Sequence, residues 1–175
     1  LFAREDGRPL PRPPIAMTLV LDVSGSMSGA KIEQARRAVI PTITRMRDTA
    51  QVALVTYDDS ARVVVPLGPV GPRRGWIEEK VTGVTAGGGT RIPEGLSVGH
   101  DMLREAPHGF VRRLVLMSDG IDGSGIGASG AAQMVRAYAN EGVTVASLGI
   151  GLDYYETVLT AMTLSPIRHT EPYNP

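Results

Sequence analysis

Three polar side chains follow an apolar run at every second position. The segment LVLDVSGSM places Asp22, Ser24 and Ser26 directly behind residues typical of a buried strand. In extended backbone, residues two apart point to the same side, so one carboxylate and two hydroxyls are expected to converge, and Gly25 allows the chain to turn. Taken alone, a Ser-Gly-Ser segment is more typical of an ordinary turn than of a binding site.

Two more segments supply oxygen atoms at comparable places. Thr90 follows three glycines and precedes a predicted helix, and Asp119 follows another apolar run. Ligands of an open parallel sheet bind beyond the carboxyl ends of its strands, so we expect all three loops at one edge. This all-oxygen set suits a hard cation, Mg²⁺ first with Mn²⁺ or Ca²⁺ as alternatives, and suits zinc or copper poorly. The candidate metal ligands are Asp22, Ser24, Ser26, Thr90 and Asp119.

The elements that must position these loops alternate between short apolar runs and helix-like stretches, a pattern typical of a doubly wound α/β fold. Strands are predicted at 15–23, 51–57, 62–67, 111–118 and 143–149. The second and third are separated by four residues, too few for a parallel crossover, so a hairpin and one antiparallel edge strand are expected. Asp58 and Asp59 are assigned to this turn and left out of the site, and Pro66 fits an edge strand.

Amphipathic spacing predicts the helices. They are expected at 31–47, 72–82, from 92 or 93 to 105, 128–141 and 154–163. Ser28 and Gly29 are available to cap the first helix, and Pro41 is expected to kink it or split it. The three histidines, His100, His108 and His169, show no metal-ligand spacing and are expected at the surface.

Composition limits the classes of protein that remain. With 175 residues, 42% of them hydrophobic, the chain can bury one sizeable core. We assign 1–14 to a linker or N-terminal extension, 15–165 to the domain, and 166–175 to a tail or short final strand. Eighteen basic residues balance eighteen acidic ones, which disfavours a nucleic acid partner. The sequence has no cysteine, and no apolar run approaches the roughly 20 residues of a membrane-spanning helix.

The run LVLDVSGSMSG resembles the Asp-x-Ser-x-Ser signature of von Willebrand factor A and integrin inserted domains, and GGGTRI and MSDG follow in that family's order. The resemblance covers about residues 15–160. Together with the later segment YDDSARVVVPL, this run makes the sequence similar to the bacterial branch of the family, which includes lipoprotein-type and inter-alpha-trypsin-inhibitor-like members. It implies a three-layer, Rossmann-like α/β/α fold with a mostly parallel sheet.

The resemblance also implies a metal-ion-dependent adhesion site. Its hydroxyl ligands would be Ser24, Ser26 and Thr90, with Asp22 and Asp119 held to the metal directly or through water. A partner protein would complete the metal's shell with an Asp or Glu side chain, and the resemblance favours an extracytoplasmic or cell-surface location. In this chain Arg91 follows the threonine where many relatives carry Asn or a small residue, so it is available either to a ligand carboxylate or to solvent.

We therefore expect a metal-dependent protein-interaction module of the adhesion type and no enzyme, because no activated nucleophile is recognisable. The alternatives are a hydrolase that uses the same metal and a metal-free scaffold. Residues 125–130 match G-x-G-x-x-G, but 119–124 separate them from the preceding strand and no acidic residue stands about 20 positions later, which disfavours a dinucleotide site. The stretch SPIRHTEPYNP lacks the glycine-rich, aromatic final strand that is common in bacterial members.

Overall fold

The computed structural model describes residues 13–120 and 123–151. Its strands are β1 Ile15–Asp22, β2 Gln51–Tyr57, β3 Ala61–Pro69, β4 Val111–Ser118 and β5 Val143–Gly149. Its helices are α1 Ala30–Arg45, α2 Arg74–Thr82, α3 Ile92–Arg104 and α4 Gly127–Asn140, with 3₁₀ turns at Gly25–Met27 and Gly71–Arg73. The predicted helix at 154–163, the tail and His169 lie outside the described residues.

The sheet has the strand order β3-β2-β1-β4-β5. β1 pairs in parallel with β2 and β4, and β4 pairs in parallel with β5. β2 and β3 form the antiparallel hairpin that the short connection predicted, and β3 lies at the edge with Pro66 inside it. The three-layer α/β/α fold is thus confirmed. The central position of β1 brings its carboxyl end between those of β2 and β4.

Alternate residues of β1 enter two different cores, as expected for a strand that is covered on both faces. Leu19 and Leu21 belong to the layer that contains the buried residues of α1 and α2. Val20 belongs to the layer beneath α3 and α4. α3 approaches the sheet closely because it presents glycines there: a Cβ added to Gly99 would lie 2.4 Å from Val20 Cγ2.

Two expectations about individual residues are contradicted, the first in part: α1 is not split at Pro41, and His100 is not at the surface. α1 continues through Pro41 without a split; the proline is exposed, and the hydroxyls of Thr42 and Thr44 donate to carbonyl oxygens of the preceding turn at 2.8 and 2.9 Å. His100 is buried rather than at the surface, because its ring stacks on Tyr138 of α4 with centroids 4.0 Å apart. His108 is exposed, as expected. Within the described ranges, no helix combines the length and the hydrophobicity needed to cross a membrane.

Candidate metal centre

Asp22 ends β1, and its side chain is fully buried. Its Oδ1 accepts a hydrogen bond from the backbone N–H of Ser24 at 2.8 Å. Its Oδ2 accepts bonds from Ser118 Oγ at 2.6 Å and from Tyr57 OH at 3.2 Å. Tyr57 is the register partner of Asp22 in β2, and Ser118 is the last residue of β4. The two neighbouring strands therefore hold this carboxylate between them through neutral donors.

These surroundings change the ionisation of Asp22 and Tyr57. Burial raises the pKa of Asp22 above its usual value, the hydrogen bonds from Ser118 and Ser24 oppose this rise, and the negative charge of Asp119 adds to it. Burial likewise raises the pKa of Tyr57 well above its usual value, with the charge of Asp22 as the next cause. Tyr57 is therefore a neutral hydrogen-bond donor at physiological pH, and the Asp22 carboxylate lies where an added positive charge would stabilise it.

The serines after Asp22 meet, although for a different reason from the one predicted. The extended backbone on which the alternation argument depends gives way to the 3₁₀ turn Gly25–Met27. Ser24 Oγ and Ser26 Oγ nevertheless lie 3.1 Å apart. Ser24 is buried and Ser26 is exposed, so the pair leads from Asp22 to the protein surface.

The glycine-rich loop is joined to this turn through the backbone. The N–H of Gly25 donates to Gly88 O at 2.9 Å, and the N–H of Gly87 donates to Val23 O at 2.7 Å. A Cβ on Gly25 would lie 3.3 Å from Gly88 O, which explains the value of glycine at this close approach. The two loops thus form one hydrogen-bonded unit, as the prediction of a common edge required.

Thr90 lies between two neighbouring segments. The β2–β3 turn braces its loop from one side: Asp59 Oδ2 accepts the N–H of Gly89 at 2.9 Å, and the backbone oxygen of Asp58 accepts the N–H of Arg91 at 2.9 Å. On the other side, Thr90 O accepts the N–H of Gly123 at 2.8 Å. Thr90 is largely buried. Its position depends on the hairpin and on the segment after β4.

Asp119 follows β4, and its side chain is fully buried. Its Oδ2 accepts a hydrogen bond from Lys31 Nζ at 2.8 Å. Lys31 belongs to the first turn of α1, 88 positions away in sequence, and 27% of its side chain is exposed. The second carboxylate of the candidate site is therefore paired with a cation supplied by the protein.

The structure brings the predicted residues together to different degrees. Asp22, Ser24 and Ser26 are connected by direct contacts, Asp119 is close enough for its charge to act on Asp22, and Thr90 is connected through its loop's backbone. Sequence reasoning missed four residues that contact or brace this set: Tyr57, Ser118, Lys31 and Asp59. The residues are two carboxylates and three hydroxyls, which is a donor set that fits a hard divalent cation.

Three neighbouring features do not add ligands. In the described part of the chain, no group of three or more His, Asp or Glu side chains is arranged to hold a metal. Arg91 is half exposed and donates to Glu94 Oε1 at 2.6 Å at the start of α3. The G-x-G-x-x-G segment lies at the start of α4, which begins at Gly127, whereas β4 has already ended at Ser118. This separation differs from the strand-turn-helix geometry of a dinucleotide site.

Comparison with known sequences gives a consistent result. The von Willebrand factor type A domain profile matches residues 17–173. An uncharacterized protein of Synechocystis is 29% identical over 155 residues, which cover 88% of this chain and 36% of that protein. Inter-alpha-trypsin inhibitor heavy chain H4 of Bos taurus is 29% identical over 160 residues, which cover 86% of this chain and 18% of that protein. The chain thus spans about a third or less of these relatives.

Solved structures share the fold. A von Willebrand factor type A protein from Catenulispora acidiphila superposes with a TM-score of 0.76 at 25% identity, covering 86% of this chain and 36% of that one. Proximal thread matrix protein 1 from the mussel byssus, described with a zinc-occupied MIDAS motif, superposes with a TM-score of 0.71 at 19% identity. That match covers 86% of this chain and 39% of the mussel chain.

Proposed function

Because the chain belongs to the von Willebrand factor type A domain family, we propose that it binds one divalent cation and, through it, an acidic side chain of a partner protein. The observation that carries the proposal is the burial of two carboxylates beside hydroxyl groups, at three loops joined by backbone hydrogen bonds. Buried carboxylates need compensating positive charge or donors. The residues that would hold the ion are Asp22, Ser24, Ser26, Thr90 and Asp119.

The chemistry of this donor set favours Mg²⁺ or Mn²⁺. Three of the five side chains are neutral hydroxyls, so a bound divalent ion would keep an affinity for another carboxylate, and that is the chemistry it would supply. Tyr57 and Ser118 orient Asp22 for the ion, while Asp59 fixes the loop that carries Thr90. The mussel protein's zinc indicates that this fold also admits that metal, so zinc belongs in the same titration.

The metal part of the proposal is tested by isothermal titration with Mg²⁺, Mn²⁺ and Zn²⁺ after treatment with EDTA. We expect one site in the wild type and none in Asp22→Ala or Thr90→Ala, because each substitution removes an oxygen ligand. Asp101→Ala and Thr144→Ala are matched controls, since both residues are exposed and lie outside the three loops, in α3 and at the start of β5. Unchanged metal binding in Asp22→Ala and Thr90→Ala would overturn the proposed ligand set.

The partner half needs a separate experiment. The domain is immobilised and exposed to extracellular and cell-surface protein fractions with Mg²⁺ or with EDTA, and acidic peptides serve as competitors. A partner retained only with Mg²⁺, lost with Asp119→Ala bait and displaced by the peptides is the expected result. Retention that is equal in EDTA would contradict metal-mediated recognition. Placement in the bacterial branch and a location outside the cytoplasm stay predictions.

We propose no catalytic role for the site. Of its described neighbours, Tyr57 and Ser118 are neutral donors, Lys31 is a cation, and the Asp59 carboxylate accepts the N–H of Gly89. His100 is packed against Tyr138, and His108 precedes β4 at the opposite end of that strand. A phosphatase and esterase screen with added Mn²⁺ tests this. Turnover that disappears in Asp119→Ala would contradict it and favour a hydrolase. Elemental analysis of the purified protein tests the metal-free alternative.

A further inference from the structure

Lys31 contacts one of the carboxylates that the proposed function assigns to the metal. Its Nζ donates to Asp119 Oδ2 at 2.8 Å, and Asp119 is fully buried. A buried carboxylate is far more stable with a cation beside it than without one. The metal-free site is therefore stabilised by a charge that comes from α1 and not from solvent.

Gly151, which follows β5, leaves room for the Lys31 side chain. Gly151 has a φ of +93°, and a Cβ added there would lie 3.0 Å from Lys31 Cε and 3.5 Å from its Cδ and Cγ. The aliphatic stem thus runs over a backbone position without a side chain and delivers the ammonium group to Asp119. Glycine is favoured at Gly151 both by its positive φ and by this close approach.

The charges that meet here are unequal. Asp22 and Asp119 supply two carboxylates, and Lys31 supplies one ammonium group. A divalent ion bound between the carboxylates would be repelled by that ammonium group and would have to share Asp119 with it or displace it. The Lys31 side chain is 27% exposed and flexible, so it has access to solvent when it leaves the carboxylate.

We propose that Lys31 is an internal counter-cation that occupies Asp119 in the metal-free domain and thereby weakens the binding of a divalent cation. This inference rests on the proposed metal site and deepens it. Lys31 is a residue that sets affinity, not a metal ligand. Its physical effect is to keep two buried carboxylates compatible with folding before an ion arrives, at the expense of competition when the ion binds.

The test compares Lys31→Met with wild type by isothermal titration with Mg²⁺ and Mn²⁺. Methionine keeps the length of an unbranched stem and removes the charge. We expect the dissociation constant for the metal to fall roughly tenfold or more, since the repulsion between the ammonium group and the ion is lost. Lys80→Met is the matched control: it removes the same charge from an exposed side chain that contacts the Trp76 ring, and it should leave metal affinity unchanged.

Thermal unfolding separates this role from a merely structural one. In EDTA, Lys31→Met should melt below the wild type because Asp119 has lost its cation, and saturating Mg²⁺ should close most of that gap. A deficit of the same size in EDTA and in Mg²⁺, or metal affinity equal to or weaker than that of the wild type, would overturn the inference and leave the metal site standing. Absence of metal binding in both proteins would overturn the metal site and the role of Lys31 together.

Discussion

The two buried carboxylates of the candidate site are held in different ways. Asp22 receives three hydrogen bonds from neutral groups: a backbone N–H, a serine hydroxyl and a tyrosine hydroxyl. Asp119 receives the ammonium group of Lys31. Asp22 ends β1, Asp119 follows the neighbouring parallel strand β4, and both carboxylates are fully buried. Among the described contacts, neutral dipoles thus hold one carboxylate, and the other is paired with a full positive charge.

The contacts of Asp22 fix its orientation, whereas the contact of Asp119 with Lys31 compensates its charge. Two of the three donors around Asp22, the Tyr57 and Ser118 hydroxyls, come from residues of the sheet, so they orient the carboxylate without neutralising it. The cation at Asp119 neutralises its partner, but it sits at the end of a flexible, partly exposed side chain. We therefore expect perturbations near Asp22 to reduce both folding stability and metal affinity, whereas loss of Lys31 should reduce stability and increase affinity.

The largest expected effect concerns the packing behind Asp22. A Cβ on Gly95 would lie 2.6 Å from Tyr57 Cδ1, and the Tyr57 ring is fully buried. Gly95→Ala should therefore lower the free energy of unfolding by about 3 kcal/mol and weaken metal binding. Gly75→Ala in α2 is the control, since a Cβ there meets nothing within 4 Å, and it should be neutral or slightly stabilising. Equal results from urea denaturation of the two variants would show that Tyr57 can be repacked.

Ser118→Ala comes next, because this hydroxyl has two partners. It donates to Asp22 Oδ2 at 2.6 Å and accepts the N–H of Gly120 at 2.9 Å. Its removal should cost about 2 kcal/mol, measured by urea denaturation in EDTA. Ser97→Ala, on the exposed face of α3, should change stability by less than about 0.5 kcal/mol. If the two variants were equally stable, the hydrogen bond from Ser118 to Asp22 would not contribute to stability.

Tyr57→Phe should have a smaller effect. It removes the longest of the three hydrogen bonds, at 3.2 Å, and leaves Asp22 with its other two donors. We expect a loss of about 1 kcal/mol and a modest decrease in metal affinity. Combined with Ser118→Ala, it should give a non-additive loss, since both hydroxyls bind the same oxygen atom. Strict additivity in the double-mutant cycle would indicate independent roles.

The smallest effect concerns pH. The pKa of Asp22 is raised above its value of 3.8 in the unfolded chain, chiefly by burial. The native state therefore binds a proton at Asp22 more tightly than the unfolded state does. The contribution of this proton to folding stability is present below the unfolded pKa of Asp22 and is lost as the pH rises through its raised native pKa. In EDTA, the stability of the wild type relative to Asp22→Asn should therefore fall as the pH increases. A rise over the same range, measured by urea denaturation, would mean that the neutral donors lower the pKa of Asp22 instead.

The fold was largely predictable because its signals are local. The run 15–22 alternates between two cores and is flanked by turn residues, so its position needed no long-range information. Two residues separated from Asp22 by 35 and 96 positions were not predictable, because Tyr57 and Ser118 reach it only through the register between strands. Apolar periodicity reports which faces are buried and contains no register between distant segments.

Lys31 and His100 show what a helical pattern can predict and what it cannot. The helical pattern predicted α1, but nothing in it indicates that Lys31 extends to Asp119, since the contact depends on Gly151 as well. For His100, a local signal was present: it stands four positions after Leu96 and three before Leu103, both buried on the same face of α3. Helical spacing therefore indicates burial of His100, whereas its predicted exposure was based on the absence of metal-ligand spacing, which carries no information about burial.

The hairpin that braces Thr90 also decides where this domain can be engineered. Through Asp59 and Asp58 the β2–β3 turn holds the glycine-rich loop, so an insertion at its tip would displace Thr90 even though the tip is exposed. The turn before β4 lies at the opposite end of the sheet, and Gly109 there has nothing within 4 Å of an added Cβ. A reporter or affinity tag inserted at that turn would leave the three loops of the candidate metal site undisturbed.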